Sequence, residues 1–343
     1  MSSKKTSVKL KIGVVGATGM VGQTFMDILA QRQFPVETLR PFASEKSLGQ
    51  KIGLMGKSYP IEILKPGCFD GLDLVFFSSG DDISKEWAPL AAKAGAFAVD
   101  NSAAFRMDTD KLLCVPEVNG DLLDAMKGQP QIIANPNCTT IQLVVVLNPL
   151  LKKFGMKEVR VSSYQAVSGA GIEAYNELLA QAKDFVNDKT PEAKVFPHQI
   201  AFNCIPQIGS FLDNGFTGEE VKVMKETRKI LRHEKMRVSA FTVRVPVLNA
   251  HAEVVWVTLD QKISQAQFTE ALRGAPGLVI QDQPRNSQYP LQFTASGEDP
   301  VYVGRIHRDL DDEYTWLLWI VADNIRKGAA LNGIQIAERI FDI

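Results

Sequence analysis

Three glycines spaced three apart, in Gly16-Ala-Thr-Gly19-Met-Val-Gly22, constrain this chain more than any other feature. The apolar run Lys11 to Gly16 precedes them, and Val21, Phe25, Ile28 and Leu29 follow at helical spacing within Met20 to Gln33. A buried strand, a glycine turn and an amphipathic helix in that order predict a βαβ unit that binds a dinucleotide. Glycine suits the turn because the chain must reverse tightly, approach a diphosphate without a Cβ in the way, and pack helix close to strand. The helix N-terminus then offers N–H groups and partial positive charge to the phosphates. The spacing is GxxGxxG rather than GxGxxG, so the turn alone also fits an unrelated α/β protein.

Strands at Val36–Ser44, Leu72–Phe77 and Phe97–Val99, with a helix over Ile83–Ala94, extend the unit into a parallel, doubly wound sheet. The pattern changes after Asn135. An apolar helix is expected over Cys138–Phe154, a strand over Glu158–Gln165 and a helix over Gly171–Phe185. Arg237–Val247 and Ala252–Leu259 alternate apolar and polar residues, as antiparallel strands with one wet face do. Tyr314–Ala322 reads as a strand and Lys327–Ile343 as a last helix. The expected fold class is α/β. A Rossmann-type nucleotide-binding domain over 1–134, completed by a helix over 325–343, joins an α+β catalytic and dimerisation domain over 135–324 with a mainly antiparallel sheet.

A net charge of −1 argues against nucleic acid as a partner, and Lys225, Arg228, Lys229 and Arg232 read as one solvated helix face. No apolar stretch reaches the ~18 residues of a membrane span, so no membrane partner is expected. Met1–Ser7 is polar and reads as a disordered lead-in to a cytoplasmic chain. Cys68, Cys114, Cys138 and Cys204 form no CxxC pair, which argues against a zinc site or a disulfide framework, and no metal is expected.

Cofactor choice is read at the end of the second strand, where NAD enzymes place an acid. Glu37 lies at the wrong end, whereas Arg40, Ala43, Ser44, Lys46 and Ser47 surround the right one. Hydroxyls and cations suit a 2′-phosphate, although Glu45 sits among them; the reading favours NADP. Ser78-Ser-Gly80 follows a buried strand at its carboxyl end, where doubly wound sheets bind ligands.

Asn135-Pro-Asn-Cys138-Thr-Thr opens the apolar helix, with Asn137 as cap and Cys138 in the first turn. The helix dipole there favours a thiolate nucleophile, while the plain alternative is a small buried residue. His251, after a strand, is either an acid/base group or a satisfied structural histidine. Glu219 and Lys222 share a helical face, which fits a site or a surface ion pair equally.

The glycine turn, Asn101-Ser-Ala-Ala-Phe-Arg106, Asn135-Pro-Asn-Cys-Thr-Thr140, Tyr164-Gln-Ala-Val-Ser-Gly-Ala-Gly171, Glu219-Glu-Val-Lys222, Arg244-Val-Pro-Val-Leu-Asn-Ala-His251 and Asp323-Asn-Ile-Arg-Lys-Gly328 occur in this order. Together they resemble the aspartate-semialdehyde dehydrogenase family, and more closely its shorter bacterial branch, from about Lys11 to the C-terminus. The resemblance implies reversible NADP-dependent conversion of aspartyl phosphate to aspartate semialdehyde and phosphate. This reaction serves biosynthesis of lysine and diaminopimelate, threonine, methionine and isoleucine. It implies Cys138 as thioester-forming nucleophile, His251 as acid/base, and Gln165 as the residue that orients the thioester. Arg244 is implied as the substrate-carboxylate partner, Arg106 and Lys222 as phosphate ligands, and Glu219 as the partner of the amine.

The implied cofactor contacts are Gly16, Thr18, Gly19, Met20, Val21, Gly22, Ala43, Ser44, Ser47, Ser78, Gly80, Ser168, Gly169 and Asn324. A homodimer, able to pair further into a dimer of dimers, is implied as well. N-acetyl-glutamyl-phosphate reductase is the near rival, but its cysteine motif usually reads Pro-Gly-Cys-Tyr where this chain has Pro136-Asn-Cys-Thr139. A glyceraldehyde phosphate dehydrogenase lacks this glycine pattern and the Gln165 context. A silent scaffold relative would have no use for Cys138, Gln165, Arg244 and His251 together.

Overall fold

The structure, a computed structural model, describes residues 9–343, so the lead-in expected over Met1–Ser7 lies outside the described residues. In chain order, the first part runs β1 (Leu10–Val15), α1 (Met20–Gln31), β2 (Val36–Phe42), β3 (Lys51–Leu54), β4 (Lys57–Pro60) and β5 (Leu74–Phe77). It continues through α2 (Asp81–Lys93), β6 (Phe97–Asp100), β7 (Leu112–Leu113), α3 (Pro116–Asn119) and β8 (Ile132–Ala134). Next come α4 (Cys138–Phe154), β9 (Met156–Gln165), α5 (Ile172–Val186), α6 (Gly218–Leu231), β10 (Arg237–Arg244), β11 (His251–Leu259) and α7 (Gln265–Leu272). The chain closes with β12 (Leu278–Ile280), α8 (Gln292–Ala295), β13 (Val301–Arg308), β14 (Thr315–Ala322) and α9 (Leu331–Phe341).

Two compact units result. One gathers the described residues up to Pro136 with Ala329–Ile343, and the other is Asn137–Gly328. The first holds a six-stranded sheet in the order β2-β1-β5-β6-β8-β7, parallel throughout. β5 and β6 are apolar and buried at every position bar the terminal Asp100, because helices cover both faces of such a sheet. One core joins Ile12 and Val14 of β1, Phe25 and Leu29 of α1, Phe76 of β5 and Leu331, Ile334 and Ile340 of α9. Gly333 lets α9 lie against α1, since a Cβ there would stand 3.2 Å from the Phe25 ring.

The second unit has a mixed sheet in the order β10-β9-β11-β14-β13-β12. Its three central pairings are antiparallel, which makes it mainly antiparallel as expected. One strand departs from expectation: β10 runs parallel to β9. Alternation of apolar and polar residues reports that one face of β10 is wet, and says nothing of direction. The long connection through α5 and α6 supplies the crossover that a parallel pair needs. The final helix also begins later than expected, at Leu331, after a π-helical turn at Arg326–Ala330. Asp323 sets that turn by accepting the N–H groups of Ile325 and Arg326.

Paired strand positions share a face, so the buried side of this sheet reads as rows. Arg244 of β10 pairs with Gln165 of β9, and His251 starts the next strand beside them. The row below is Thr242, Ser163 and Glu253, all buried. Below that the rows turn apolar, with Ala240, Val161 and Val255, then Val238, Val159 and Val257.

Candidate active site

In the first unit, the strand order reverses at β1, with β2 on one side and β5 on the other. That is the switch point at which doubly wound sheets bind ligands. Gly16 follows β1 there with φ +82°, and a Cβ on it would stand 2.7 Å from the Ser78 carbonyl oxygen at the end of β5. Ser78 closes the crevice by donating its hydroxyl and its N–H to the Val15 carbonyl, each at 2.9 Å. Gly22 presses α1 onto the turn, because its Cβ would stand 2.2 Å from the Gly16 oxygen. Gly19 is the N-cap of α1 and Gly80 that of α2, and neither helix start receives a side-chain cap. Exposed Gly19, with half-buried Thr18, Met20 and Val21 around it, therefore presents the first N–H groups of α1.

Beyond β2, Ala43 and Ser47 are half-buried and Ser44 is exposed at the start of a short 3₁₀ turn, where its hydroxyl makes no cap bond. Arg40 is committed elsewhere: it forms a two-point pair with Glu62 and donates to the Cys68 carbonyl. Arg106 is buried within the same unit and donates to the carbonyls of Asn135, at 3.0 Å, and Asn101, at 2.8 Å.

The second unit gathers the remaining residues around the start of α4. Asn137 caps this helix by accepting from the N–H groups of Thr139 and Thr140. Its own N–H donates to Glu226 at 2.7 Å and its side-chain amide to Glu219 at 2.8 Å. Glu219 and Glu226 stand two helical turns apart on one face of α6, so that face grips the helix end that carries Cys138. Spacing could have revealed Glu226; the sequence reading missed it. Cys138 is half-buried in the first turn, and Gly328 approaches its Cβ so closely that a side chain there would stand 2.9 Å away.

Gln165 ends β9 and is buried; its amide donates to the Thr139 hydroxyl and, at 3.1 Å, to Glu219. Arg244 ends β10 and is buried. Burial pushes its guanidinium below the usual range while the charges of Glu219 and Cys138 pull it back, and it stays a cation. The coupling places Arg244 within electrostatic reach of Cys138. Arg244 also donates to the Ala166 carbonyl at 2.6 Å. Glu219 is buried, whereas Lys222 is exposed and only 4.0 Å from it. Glu219 belongs to the buried cluster, and Lys222 reaches toward it from the surface.

His251 is 1% exposed, with its Nδ1 accepting the Ala166 N–H at 3.0 Å. Burial, and then Arg244, hold the ring well below the ordinary histidine range, so it is neutral. Gly169 has its Cα turned to both groups; a Cβ would stand 3.0 Å from Arg244 Nη1 and 3.1 Å from His251 Nε2. Ser168 receives the Asn324 amide at 3.0 Å and donates to Asn249 at 2.9 Å. Asn249 in turn donates to Asp323 and Ser296. Nothing in the sequence reading pointed to Asn249, because its partners lie far along the chain.

The family description "Semialdehyde dehydrogenase, NAD binding domain" matches residues 11–126, and "Semialdehyde dehydrogenase, dimerisation domain" matches 147–327. The aspartate-semialdehyde dehydrogenase of Aquifex aeolicus is 48% identical over 96% of this chain and 97% of its own. That of Bacillus subtilis is 43% identical over 96% of this chain and 97% of its own. Among solved structures, aspartate semialdehyde dehydrogenase II of Vibrio cholerae, complexed with ASA, superposes with a TM-score of 0.93 at 40% identity, covering 97% of this chain and 98% of that one. The Candida albicans enzyme with NADP gives a TM-score of 0.77 at 26% identity, covering 97% and 98%. With both domains matched in order and full-length relatives at this identity, the chain belongs to the aspartate-semialdehyde dehydrogenase family of oxidoreductases.

Proposed function

We propose that this chain converts L-aspartyl 4-phosphate to L-aspartate 4-semialdehyde and phosphate, reversibly and with NADP(H), through a thioester on Cys138. The observation that carries the reading is half-buried Cys138 at the start of α4 with buried Gln165, Glu219 and Arg244 around it. A charged amino-acid substrate needs a cation for its α-carboxylate and an acid for its ammonium, and Arg244 and Glu219 supply them. The planar guanidinium fits a carboxylate in two-point fashion. Helix α4 and Arg244 favour the thiolate of Cys138, which attacks the acyl carbon. The S–C bond forms as the C–O bond to phosphate breaks, and Arg106 and Lys222 are the proposed ligands of the phosphate released. Gln165, fixed by Thr139 and Glu219, orients the acyl group.

The glycine turn fits a dinucleotide diphosphate, since Gly16 and Gly22 leave no room for a Cβ and α1 presents uncapped N–H groups. Gly16, Thr18, Gly19, Met20, Val21, Gly22, Ser78 and Gly80 would hold the diphosphate side, and Ser168, Gly169 and Asn324 the nicotinamide end. Ala43, Ser44 and Ser47 would meet a 2′-phosphate; the free Ser44 hydroxyl supports NADP over NAD, and Arg40, already paired, takes no part. The reduced nicotinamide supplies the hydride that turns the thioester into the aldehyde.

The chain works as a homodimer that can pair into a dimer of dimers. Support comes from the dimerisation-domain match and from the outer face of the second sheet, where Val254, Trp319 and Leu317 line an apolar groove. Among the described residues no helix is long and apolar enough to cross a membrane, in keeping with work in the cytoplasm on the amino-acid pathways named above.

The test is NADP reduction by aspartate semialdehyde, with and without phosphate, using the wild type and Cys138→Ala. Phosphate-dependent turnover that falls on the order of 10⁴-fold or more in the variant, with NADP binding kept, is expected. Full activity of Cys138→Ala would overturn the thioester, and faster turnover with NAD would overturn the cofactor choice.

A further inference from the structure

The loop that carries Arg106 begins at the carboxyl end of β6, and a chain of amides fixes how its first residue is turned. β6 and β8 are parallel neighbours with Asp100 beside Ala134, so Asn101 and Asn135 leave the sheet side by side. Asn332 of α9 completes a row of three asparagines, all within the first unit. Its Nδ2 donates to the Cys114 carbonyl at 2.9 Å and to Asn135 Oδ1 at 2.6 Å. Asn135 Nδ2 donates in turn to Asn101 Oδ1 at 2.6 Å and to the Ala329 carbonyl at 3.3 Å.

The direction of this relay is forced at two places. A backbone carbonyl can only accept. The end of Asn332 that meets Cys114, and the end of Asn135 that meets Ala329, must therefore each be the amide nitrogen. Asn135 then turns its oxygen to Asn332, and Asn101 must offer its oxygen to Asn135. That leaves Asn101 Nδ2 directed away from Asn135, and it donates to no group among the described residues. Asn135 and Asn332 are buried, whereas Asn101 is half-buried.

The same two residues hold the arginine. The Asn101 carbonyl accepts Arg106 Nη2 at 2.8 Å, and the Asn135 carbonyl accepts Nε at 3.0 Å. The loop between them is braced from inside. Buried Asp100 accepts the hydroxyls of Ser84 and Ser102, each at 2.7 Å, and Ser102 Oγ accepts the Ala104 N–H. Asp81 accepts the Ala103 N–H at 2.8 Å and so ties the loop to α2. A cation and a neutral N–H donor thus come from one fixed loop, which is the donor set that an oxyanion takes.

We infer that Asn101 is a ligand of the phosphate, donating from Nδ2 beside the Arg106 guanidinium, and that Asn135 and Asn332 are positioning residues for it. The inference rests on the function proposed above, which gives Arg106 to the phosphate, and names a second donor for that ion. A reversed Asn101 would set its oxygen against the anion and its nitrogen against the Asn135 nitrogen. The carboxyl edge of this sheet also serves the dinucleotide. The bond from the Asn101 carbonyl to Arg106 assigns the amide to the arginine's ligand instead.

Phosphate-dependent NADP reduction by aspartate semialdehyde, at varied inorganic phosphate, tests the inference. Asn101→Ala removes the donor, and KM for phosphate should rise about 10-fold or more, with KM for aspartate semialdehyde and NADP affinity held within about two-fold. Asn101→Asp keeps an oxygen for Asn135 and turns a charged oxygen to the ion, so a rise of about 100-fold or more is expected. An unchanged KM for phosphate in Asn101→Asp overturns the inference. Weaker NADP binding in place of weaker phosphate binding overturns it too, by giving the amide to the dinucleotide.

Asn332→Asp tests the relay, since a carboxylate there calls for the reverse orientation of Asn135 and then of Asn101. KM for phosphate should rise as in Asn101→Ala, although Asn332 is fully buried. Adding Asn332→Asp to Asn101→Ala should raise it no further, a coupling that a merely structural role would not give. Independent, additive losses overturn the relay. Should Asn332→Asp not fold, the two Asn101 variants still decide the assignment. Calorimetric titration of inorganic phosphate into NADP-loaded Cys138→Ala, with and without each Asn101 change, gives the same ranking without turnover. Wild-type turnover that ignores phosphate would defeat the proposed reaction. Phosphate-dependent wild-type turnover with unaltered Asn101 variants defeats this inference alone.

Discussion

The two units make their sites from different materials. In the first, the cradle is backbone: glycines that admit no Cβ, helix N–H groups without caps, and a Ser78 hydroxyl that ties two strand ends. In the second, the site is made of buried side chains that carry charge or a strong dipole, namely Glu219, Arg244, Gln165 and His251. Backbone N–H groups keep their polarity at any pH and whatever the neighbours, so the first site depends on shape. Buried charges are held only by their partners, so the second depends on mutual satisfaction. Substitutions should therefore act by steric displacement in one unit and by loss of charge pairing in the other.

The largest effect is expected at the charged end of that contrast. Arg244→Lys keeps the charge and loses the planar fork that meets the Ala166 carbonyl and a carboxylate together. We expect kcat/KM for aspartate semialdehyde to fall by about 100-fold or more, roughly 3 kcal/mol, with NADP affinity unchanged. An unaltered KM and kcat would show that charge alone is enough there. Gly22→Ala probes the steric end. Its Cβ would meet the Gly16 carbonyl at 2.2 Å, a backbone atom that cannot swing aside. A destabilisation of about 3 kcal/mol and a weaker NADP complex are expected, with the rate of Cys138 alkylation unchanged. Equal loss at Cys138 would break the distinction between the two sites.

The same contrast explains what could be read from the chain alone. The βαβ unit was legible because strand, glycines and helix are contiguous, and a turn of this kind dictates its own backbone. The helix over Cys138–Phe154 was legible to the residue because Asn137 caps it locally. Direction was not legible for β10, since an alternating pattern looks the same parallel or antiparallel. Short β12 and four-residue α8 carry too few residues to show a period. In the second site the motifs showed which side chains matter but not what holds them. Glu226 reaches Asn137 across 89 positions and Ala166 reaches His251 across 85, and the Ala166 contact is made by a backbone atom that any residue would offer.

A buried carboxyl in the row next to Arg244, Gln165 and His251 depends on its neighbours in the same way. Neither oxygen of Glu253 has a partner at full hydrogen-bond geometry; the nearby Gln142 amide favours the carboxylate, but burial outweighs it and lifts the carboxyl well above the ordinary value of 4.5. In the fold it is neutral; unfolded, it ionises above 4.5. The folded state therefore binds the extra proton, and this group makes the protein less stable as pH rises from 4.5 toward the folded value, by at most about 1.4 kcal/mol per pH unit. Glu253→Gln keeps the shape without the titration. Urea midpoints for the variant and the wild type should diverge in the variant's favour as pH rises from about 5 to 8. A constant difference would mean that Glu253 is ionised in the fold.

The smallest effect concerns the residue that delivers His251. Ala250 has φ +69°, a left-handed conformation that opposes its Cβ to its own carbonyl. That strain of about 1 kcal/mol is held by the Gln292 bond to its carbonyl and by the Asn249 ties. Glycine removes the strain but gives the unfolded chain more freedom, a loss of about 0.5–1 kcal/mol. The two terms nearly offset, so Ala250→Gly should change stability by no more than about 0.5 kcal/mol. Activity distinguishes what the strain is for. If the Gln292 and Asn249 contacts alone aim the ring, kcat stays at the wild-type level in Ala250→Gly and falls in Gln292→Ala. A lower kcat in Ala250→Gly at unchanged stability would assign part of the aiming to the alanine Cβ itself, and would make the second site, like the first, partly a matter of shape.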